Sequence, residues 1–225
     1  AHGEICFRGR QSSALSAVIY KIPAKAKGEK QKMTKRKTEN KTAKLCAAAL
    51  GSALIAVCSW ITVPLPSLPI AAPFTMQTFA VFLVSAMLGP FWGELSVLVY
   101  IGLGCVGVPV FAGFNSGVGV FAGPTGGYIL GFVLTALCTG ALCQRFGRKY
   151  FVCLGAMAAG LVLCYAVGTV WFALVYSKGS AAAGFVSALT YCVVPYILPD
   201  VLKAALASLI CLKVFPRLGF MKTKK

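Results

Sequence analysis

The pattern of apolar and polar positions divides the chain into a polar N-terminal stretch and a series of long apolar segments. Residues 24–44 are rich in lysine and show no apolar period, which is typical of a disordered or surface-lying segment. From residue 45 onward, the apolar runs approach the length of about 20 residues that crosses a bilayer as a helix. The sequence therefore predicts an all-α integral membrane protein.

The breaks between the apolar runs predict six transmembrane helices. Gly89-Pro90 ends the second run, and the basic turn QRFGRK at 144–149 separates the fourth from the fifth. Proline removes a backbone donor and bars regular helix, so the segment PLPSLPIAAP at 64–73 is predicted to be a loop. The six predicted spans are about Leu45–Val63, Phe74–Leu88, Phe91–Val108, Tyr128–Cys143, Tyr150–Tyr176 and Phe185–Leu212.

A second interruption, residues 109–127, reads PVFAGFNSGVGVFAGPTGG. It contains too much glycine for a stable helix and is too apolar for a solvated loop. Irregular backbone at membrane depth occurs only where protein or a cavity surrounds it. We therefore expect the loops 64–73 and 109–127 to close a ligand pocket in a bundle of six helices.

The composition agrees with lipid as the main solvent of this chain. Hydrophobic residues make up 58% and charged residues 12% of the 225 residues, whereas soluble domains carry about 25% charged residues. The net charge of +17 raises the possibility of a nucleic-acid partner. However, residues 1–44 hold 12 of the 22 Lys and Arg, and the other basic residues lie mostly at segment ends. We expect membrane lipid, and no nucleic acid, as the surrounding partner.

The basic residues also predict three regions and an orientation. Residues 1–44 are interpreted as a disordered basic tail, 45–215 as the membrane domain, and 216–225 as a second basic tail. A further hypothesis is that residues 1–32 are not native. Both tails and the 144–149 turn fall on one side of a six-span bundle, and the opposite loops contain one basic residue, Lys178. The positive-inside rule then predicts a multi-pass protein of the cytoplasmic membrane with both termini in the cytoplasm.

The residues that support catalysis or metal binding are scarce. The chain has one histidine, His2, in the polar tail, and its ten cysteines form no C-x-x-C pair, so no zinc ligand set can be assembled. A Ser-His or Cys-His pair and a two-carboxylate site are equally lacking. No Walker G-x-x-x-x-G-K-[ST] loop occurs, so any ATP is used by partner subunits. We expect a protein that is not an enzyme and has no metal and no cofactor.

The strongest chemical signal is Asp200-x-x-Lys203 in the sixth predicted span. A charged residue at the centre of a membrane helix costs about 2.5–3.5 kcal/mol on insertion scales. Positions i and i+3 share one helix face, so each charge reduces the cost of the other. The pair is either a neutralised contact within the bundle or part of a ligand site. Its position after Pro195 and Pro199, where a broken helix exposes backbone groups, favours a ligand site.

Uncharged polar and aromatic residues add further candidates near the Gly-rich loop. The amide of Asn115 can donate and accept, although an Asn-Ser-Gly turn would explain it as well. Gln77 is a second amide, on the second span. Phe111, Phe114 and Tyr128 are suited to wall an apolar ligand or to form an interfacial aromatic belt.

The first predicted span carries small residues four positions apart, Ala49 and Ala53. Such spacing lets a second helix approach closely in a membrane. The alternatives are an interaction face for another subunit and simple packing within the bundle.

Five stretches together resemble the BioY family, the biotin-specific substrate-binding (S) components of energy-coupling-factor (ECF) transporters. The resemblance covers about Leu45–Phe215 and implies six helices and an outward-facing biotin pocket. It also implies association with a transmembrane coupling subunit and two cytoplasmic ATPase subunits. The five stretches are PFTMQTF at 73–79, LGPFWG at 88–93, GVPVFAGF at 107–114, GPTGGYILGF at 123–132 and VPYILPDVLK at 194–203.

The resemblance also assigns roles to individual residues. The family's pocket asparagine falls on Asn115, and its acid and lysine in the last helix fall on Asp200 and Lys203. Its A-x-x-x-A contact with the coupling subunit matches Ala49 and Ala53. The resemblance therefore implies capture and transport of biotin without bond chemistry.

One position departs from the pattern. Some relatives have a basic residue directly after the tyrosine of GGY, where this chain has Ile129. The biotin carboxylate therefore lacks a charged partner at this position. The alternative functions are an S component for another vitamin and a solitary secondary transporter.

Overall fold

The computed structural model describes residues 41–63, 74–123, 125–176 and 189–217. The chain divides into two compact units, Ala1–Ala43 and Lys44–Lys225, and only residues 41–43 of the first are described. The predicted loops 64–73 and 177–184 lie outside the described residues. So do residues 1–40 of the predicted N-terminal tail, residues 185–188 of the sixth span and residues 218–225 of the C-terminal tail.

Six α-helices lie within the described residues, which confirms the predicted helical bundle. They are α1 Lys41–Trp60, α2 Gln77–Leu88, α3 Pro90–Val106, α4 Gly126–Phe146, α5 Tyr150–Tyr176 and α6 Val194–Val214. Two strands, β1 Thr62–Val63 and β2 Phe74–Thr75, pair antiparallel. Shorter helical turns are Ala112–Phe114, Val118–Ala122, Leu189–Val193 and Phe215–Arg217.

The helices differ in their ability to cross a membrane. By length and composition, α1, α4 and α5 are long and apolar enough to span it. Helix α2 has 12 residues, or about 18 Å at 1.5 Å per residue, which is less than the ~30 Å hydrocarbon core. It begins three residues later than predicted, because Phe74 and Thr75 pair with β1 in extended conformation. Because Phe74 and Thr75 are extended and not helical, the carbonyl of Thr75 is free to accept a hydrogen bond from Lys203 on α6.

Helices α4 and α5 pack closely through small residues and hydroxyl groups. A Cβ atom added at Gly131 would lie 3.0 Å from the Cα of Cys164. Across the same interface, the Thr135 hydroxyl donates to the carbonyl of Gly160 at 2.9 Å. Small residues that admit a neighbouring backbone, with Thr hydrogen bonds between helices, are the usual means of helix association in lipid.

The short turns place the helix ends in two groups. The start of α2, the end of α3 and the start of α4 meet at one end of the bundle, here called the loop end. The α2–α3 turn at Gly89, the α4–α5 turn at 147–149 and the end of α6 lie at the other, here called the basic end. One apolar cluster, around Tyr100 and Phe111, lies toward the loop end, and a second, around Met157, contains the buried Cys143, Cys153 and Cys211.

Candidate functional site

Asp200 and Lys203 form a buried ion pair in the first turns of α6. Each residue is 4% exposed, and Nζ of Lys203 lies 2.8 Å from Oδ1 of Asp200. Nζ also donates to the carbonyl of Thr75 at 2.6 Å and to the hydroxyl of Thr78 at 3.3 Å. It lies 3.9 Å from the ring centroid of Phe74. An ammonium has three donors, and all three have acceptors here.

The carboxylate of Asp200 is shared among three helices. The Thr78 hydroxyl of α2 donates to Oδ1 at 3.1 Å, and the Tyr165 hydroxyl of α5 donates to Oδ2 at 2.7 Å. We call Asp200, Lys203, Thr78 and Tyr165 the charged cluster. Because hydrogen bonds to an ionised group are stronger than those between neutral groups, the cluster links α2, α5 and α6.

A cavity of about 150 Å³ opens at the loop end, beside the charged cluster. Four of the seven predicted ligand-site residues line it: Gln77, Phe111, Asn115 and Tyr128. We call it the loop-end cavity. Its remaining lining residues are Thr75, Ala112, Val120, Thr125, Ile129 and Phe132.

Two amides supply polar groups to this cavity. Gln77 is buried and donates through Nε2 to the Tyr100 hydroxyl at 2.8 Å, which leaves its carbonyl oxygen for a ligand. Asn115 donates through Nδ2 to the carbonyl of Ala112 at 2.8 Å and thereby closes its own turn. Its side-chain oxygen has no protein donor among the described residues. Asn115 therefore acts as a turn residue and still presents an acceptor.

An aromatic wall faces these amides. The ring of Phe111 packs edge-on against Tyr100 and Phe121, with centroids 5.6 and 5.9 Å apart. It also lies directly against Gly104 of α3, where a Cβ atom would overlap the ring. Glycine at 104 therefore allows Phe111 to enter the bundle and line the cavity.

Three predicted site residues lie outside the cavity lining. Asp200 and Lys203 are next to it, because Thr75 lines the cavity while its carbonyl accepts from Lys203. Phe114 is 62% exposed and stacks on Trp60 of α1, with centroids 5.2 Å apart. A role of these three residues in binding remains a prediction.

The residues that the sequence did not single out are mostly hydroxyl-bearing. Thr78 lies 122 positions before Asp200 in the sequence, and Tyr165 lies 35 positions before it, so only the fold brings them together. Thr75 and Thr78 belong to the PFTMQTF stretch, one of the five stretches that resemble the family, so that resemblance could have pointed to them. Within the described ranges, no group of three or more His, Cys, Asp and Glu side chains is placed to hold a metal ion.

The two alanines of α1 lie on its exposed face. Ala49 and Ala53 are both exposed, whereas Ala48 and Gly51 are buried. A Cβ atom at Gly51 would lie 2.8 Å from Oγ of Ser96 on α3. Packing of α1 within the bundle therefore uses a different face from the one that carries Ala49 and Ala53.

Comparison with known proteins places this arrangement in a family. The sequence model of the BioY family matches residues 30–220. The chain belongs to the BioY family. It is 37% identical over 174 residues to the biotin transporter BioY of Thermotoga maritima, covering 76% of this chain and 94% of that protein. It is also 37% identical over 170 residues to a probable biotin transporter BioY of Pyrococcus horikoshii, with 76% and 94% covered.

A solved structure shares the fold. The crystal structure of the S-component for biotin from an ECF-type ABC transporter superposes with a TM-score of 0.70 at 25% identity, over 81% of this chain and 95% of that one. The family resemblance expected from the sequence is thus confirmed, as is the multi-pass membrane fold. The expectation that the chain is not an enzyme agrees with this family, since the relatives named here are transporters.

Proposed function

We propose that this protein captures biotin in the loop-end cavity and carries it across the cytoplasmic membrane as the S component of an ECF transporter. The observation that carries the proposal is the cavity itself, in which two amides face an aromatic wall, in a chain of the BioY family. The described side chains that line the cavity are amides, hydroxyls and apolar groups, which suit the binding and handover of a polar ring with apolar faces.

Biotin has the two kinds of surface that this cavity offers. Its ureido ring has two N–H donors and a carbonyl acceptor, and the amides of Gln77 and Asn115 can serve both. Its bicyclic body is largely apolar, and Phe111 and Tyr128 would pack against it. Ile129 also lines the cavity, so the wall has no charge at that position. A biotin carboxylate that reached solvent would need no charged partner.

The charged cluster, which lies beside the cavity, would form hydrogen bonds with the ureido group of biotin. Asp200 can accept from a ureido N–H when the Thr78 hydroxyl gives up its place on Oδ1. Lys203 would keep Asp200 ionised and donate to a ligand oxygen. Phe114 would contribute through the Gly-rich loop. Support comes from Thr75, which lines the cavity and whose carbonyl accepts a hydrogen bond from Lys203 of the cluster.

The proposed protein partners are ATPase subunits and a transmembrane coupling subunit. The resemblance implies two ATPase subunits as the source of energy, in keeping with the matched structure, which is a component of an ECF-type ABC transporter. If ATP is used, those partners would hydrolyse it, since this sequence has no Walker loop. The transmembrane coupling subunit would dock on Ala49 and Ala53, which are exposed and small. Residues 45–215 would form the membrane domain, with the tails 1–44 and 216–225 in the cytoplasm and the loop end facing outward.

The first test is a calorimetric titration of the purified protein in detergent with biotin, desthiobiotin and riboflavin. We expect saturable one-to-one binding of biotin, weaker binding of desthiobiotin, which keeps the ureido group, and none of riboflavin. Asn115→Ala removes one neutral hydrogen bond worth about 0.5–1.5 kcal/mol, so affinity should fall about two- to tenfold. Ser116→Ala, next to it and outside the cavity lining, is the matched control.

Two results would count against the proposal. A folded protein that binds no biotin, or one that binds riboflavin equally well, would show that the substrate is assigned wrongly. Sustained biotin uptake in cells that lack the coupling subunit and the ATPases would support a solitary secondary transporter instead.

A further inference from the structure

A second cavity, of about 200 Å³, lies at the basic end of the bundle, and we call it the basic-end cavity. It is formed by the start of α1, the α2–α3 turn, the end of α4 and the α4–α5 turn. Its polar lining groups are Lys44, Gln144 and Arg148, and Phe91 and Trp92 line it from α3. None of its lining residues is acidic. Its volume is well above the ~30 Å³ that one water molecule takes in the liquid, so a phosphate-sized group has room there.

Arg148 is held rigidly at this cavity. Its Nε donates to the carbonyl of Ala86 at 2.7 Å, and its Nη2 donates to the carbonyl of Met87 at 3.3 Å. The guanidinium lies 3.8 Å from the ring centroid of Phe215. These contacts use two of five N–H donors and leave the others for a ligand. Burial lowers the pKa of Arg148, but arginine starts high enough to stay charged at neutral pH.

The other two polar side chains named above, Lys44 and Gln144, are unpaired within the part of the chain that the structure describes. Neither Lys44 nor Gln144 makes a hydrogen bond or ion pair with a described residue. Arg145 and Lys149, the charged residues next to Gln144 and Arg148 in the chain, are also basic, as is Lys41, one turn before Lys44 on α1. Glu39, the acid nearest to Lys44 in the chain, lies outside the described residues. From residue 45 to the C-terminus the sequence has two acids, Asp200 in the charged cluster and Glu94 on α3, and neither lines this cavity. The positive charge of the cavity is therefore not neutralised by its own walls.

The rim of the cavity suits a lipid better than a dissolved ion. Phe91 is 68% exposed, and Trp92 is next to it at the start of α3. Tryptophan at a helix end is typical of the level of the lipid headgroups, and an acyl chain can follow exposed apolar surface such as that of Phe91 beside it. Basic pockets between transmembrane helices on the cytoplasmic side are a recurring way to bind acidic headgroups.

We propose that the basic-end cavity binds the phosphate of an anionic phospholipid, with Lys44, Arg148 and Gln144 as its ligands. Phosphate oxygens would accept from the free guanidinium hydrogens and from Nζ of Lys44. The site lies at the opposite end of the bundle from the loop-end cavity, so it does not depend on the nature of the transported molecule.

The test measures lipid binding to the detergent-purified protein by native mass spectrometry and by thermal shift. We expect phosphatidylglycerol, but not phosphatidylcholine, to bind and to raise the unfolding temperature. Lys44→Gln should lower phosphatidylglycerol affinity about fivefold, as expected for one basic residue near an anionic surface. Lys149→Gln, the same charge change on an exposed residue at the same end, should lower it by about twofold at most, because exposed charges are screened.

A second variant keeps the test decisive if Lys44→Gln fails to fold. Gln144 is exposed, so Gln144→Glu should be tolerated, and its negative charge should abolish phosphatidylglycerol binding by repulsion. If Lys44→Gln and Lys149→Gln lowered phosphatidylglycerol affinity equally, the lipid would be attracted by the general surface charge, and the proposed site would be overturned. Displacement of the lipid by millimolar inorganic phosphate, with the same thermal shift, would overturn the lipid assignment in favour of a soluble phosphate.

Discussion

The charged cluster allows a test that separates a ligand-binding role of Asp200 from a purely structural one. Asp200→Asn keeps the shape of the side chain and removes its charge. The Asn oxygen can still accept from Lys203, but the ammonium then has only neutral acceptors, since Thr75 and Thr78 provide a carbonyl and a hydroxyl. The variant therefore leaves a buried cation without a counter-ion.

The magnitudes follow from burial and hydrogen bonding. Removing one partner of a buried ion pair costs about 3–5 kcal/mol, and we expect the lower end because the amide oxygen remains as an acceptor. If Asp200 accepts from a ureido N–H, biotin binding loses a charge-assisted bond of about 1.5–3 kcal/mol. At about 1.4 kcal/mol per factor of ten, affinity falls roughly 10- to 150-fold.

The double variant Asp200→Asn with Lys203→Met separates the two effects. It removes both charges and keeps a side chain of similar length at 203. The double variant no longer leaves a buried cation without a counter-ion, so it should be more stable than Asp200→Asn alone. It should not fully reach the wild type, because the carbonyl of Thr75 loses its donor. Biotin affinity should stay low, because the carboxylate is still missing.

The assays are thermal unfolding in one detergent and calorimetric biotin titration of the same preparations. Tyr165→Phe is a graded control, because it removes one hydrogen bond to Asp200 and leaves both charges in place. Recovery of biotin affinity together with stability in the double variant would make the pair a structural contact only. Unchanged affinity in a folded Asp200→Asn protein would remove Asp200 from the site altogether.

Two further predictions concern α3 and α1. Gly104→Ala should displace the Phe111 ring, cost about 1–3 kcal/mol of stability and weaken biotin binding in the same titration. Gly102→Ala, which has open space around it, should leave biotin binding unchanged and cost no stability, since alanine favours a helix. Ala49→Trp should preserve biotin binding and prevent copurification of the coupling subunit, whereas Leu174→Trp, on an exposed position of α5, should preserve both. An intact complex with Ala49→Trp would refute the docking face.

The sequence predicted helices well where their ends carry local signals. Helix α5 has the predicted bounds, because the basic turn at 144–149 precedes it and the sequence SKGSAAAG, which interrupts the apolar run, follows Tyr176. The start of α2 was misplaced, because the pairing of Phe74 and Thr75 with β1 is a long-range contact that no local pattern reveals. Boundaries set by tertiary contacts are the part that single-sequence reasoning misses.

The residues of the candidate site also fall into two groups, those that the sequence reveals and those that only the fold brings together. Asp200 and Lys203 stand out in the sequence because charges are rare in membrane helices. Thr78 and Tyr165 do not, because hydroxyl groups are common there and only the fold places them on Asp200. The aromatic positions in the Gly-rich loop were identified, but sequence alone could not tell that Phe111 points inward while Phe114 stacks outside.

Helix α1 links the two surfaces that this proposed function requires. In its middle it exposes Ala49 and Ala53, and at its last turn it contacts the Gly-rich loop. There Ser59 Oγ donates to the carbonyl of Val110, and Trp60 Nε1 donates to the carbonyl of Pro109 at 2.9 Å. A helix bends sharply where a few local hydrogen bonds are lost, usually at a proline or a Gly/Ser pair. Helix α1 contains no proline, and its Gly51-Ser52 pair is buried, with Gly51 packed on Ser96 of α3, so a sharp bend within α1 is disfavoured. A tilt of α1 on a docked partner would therefore pull directly on the loop that walls the cavity.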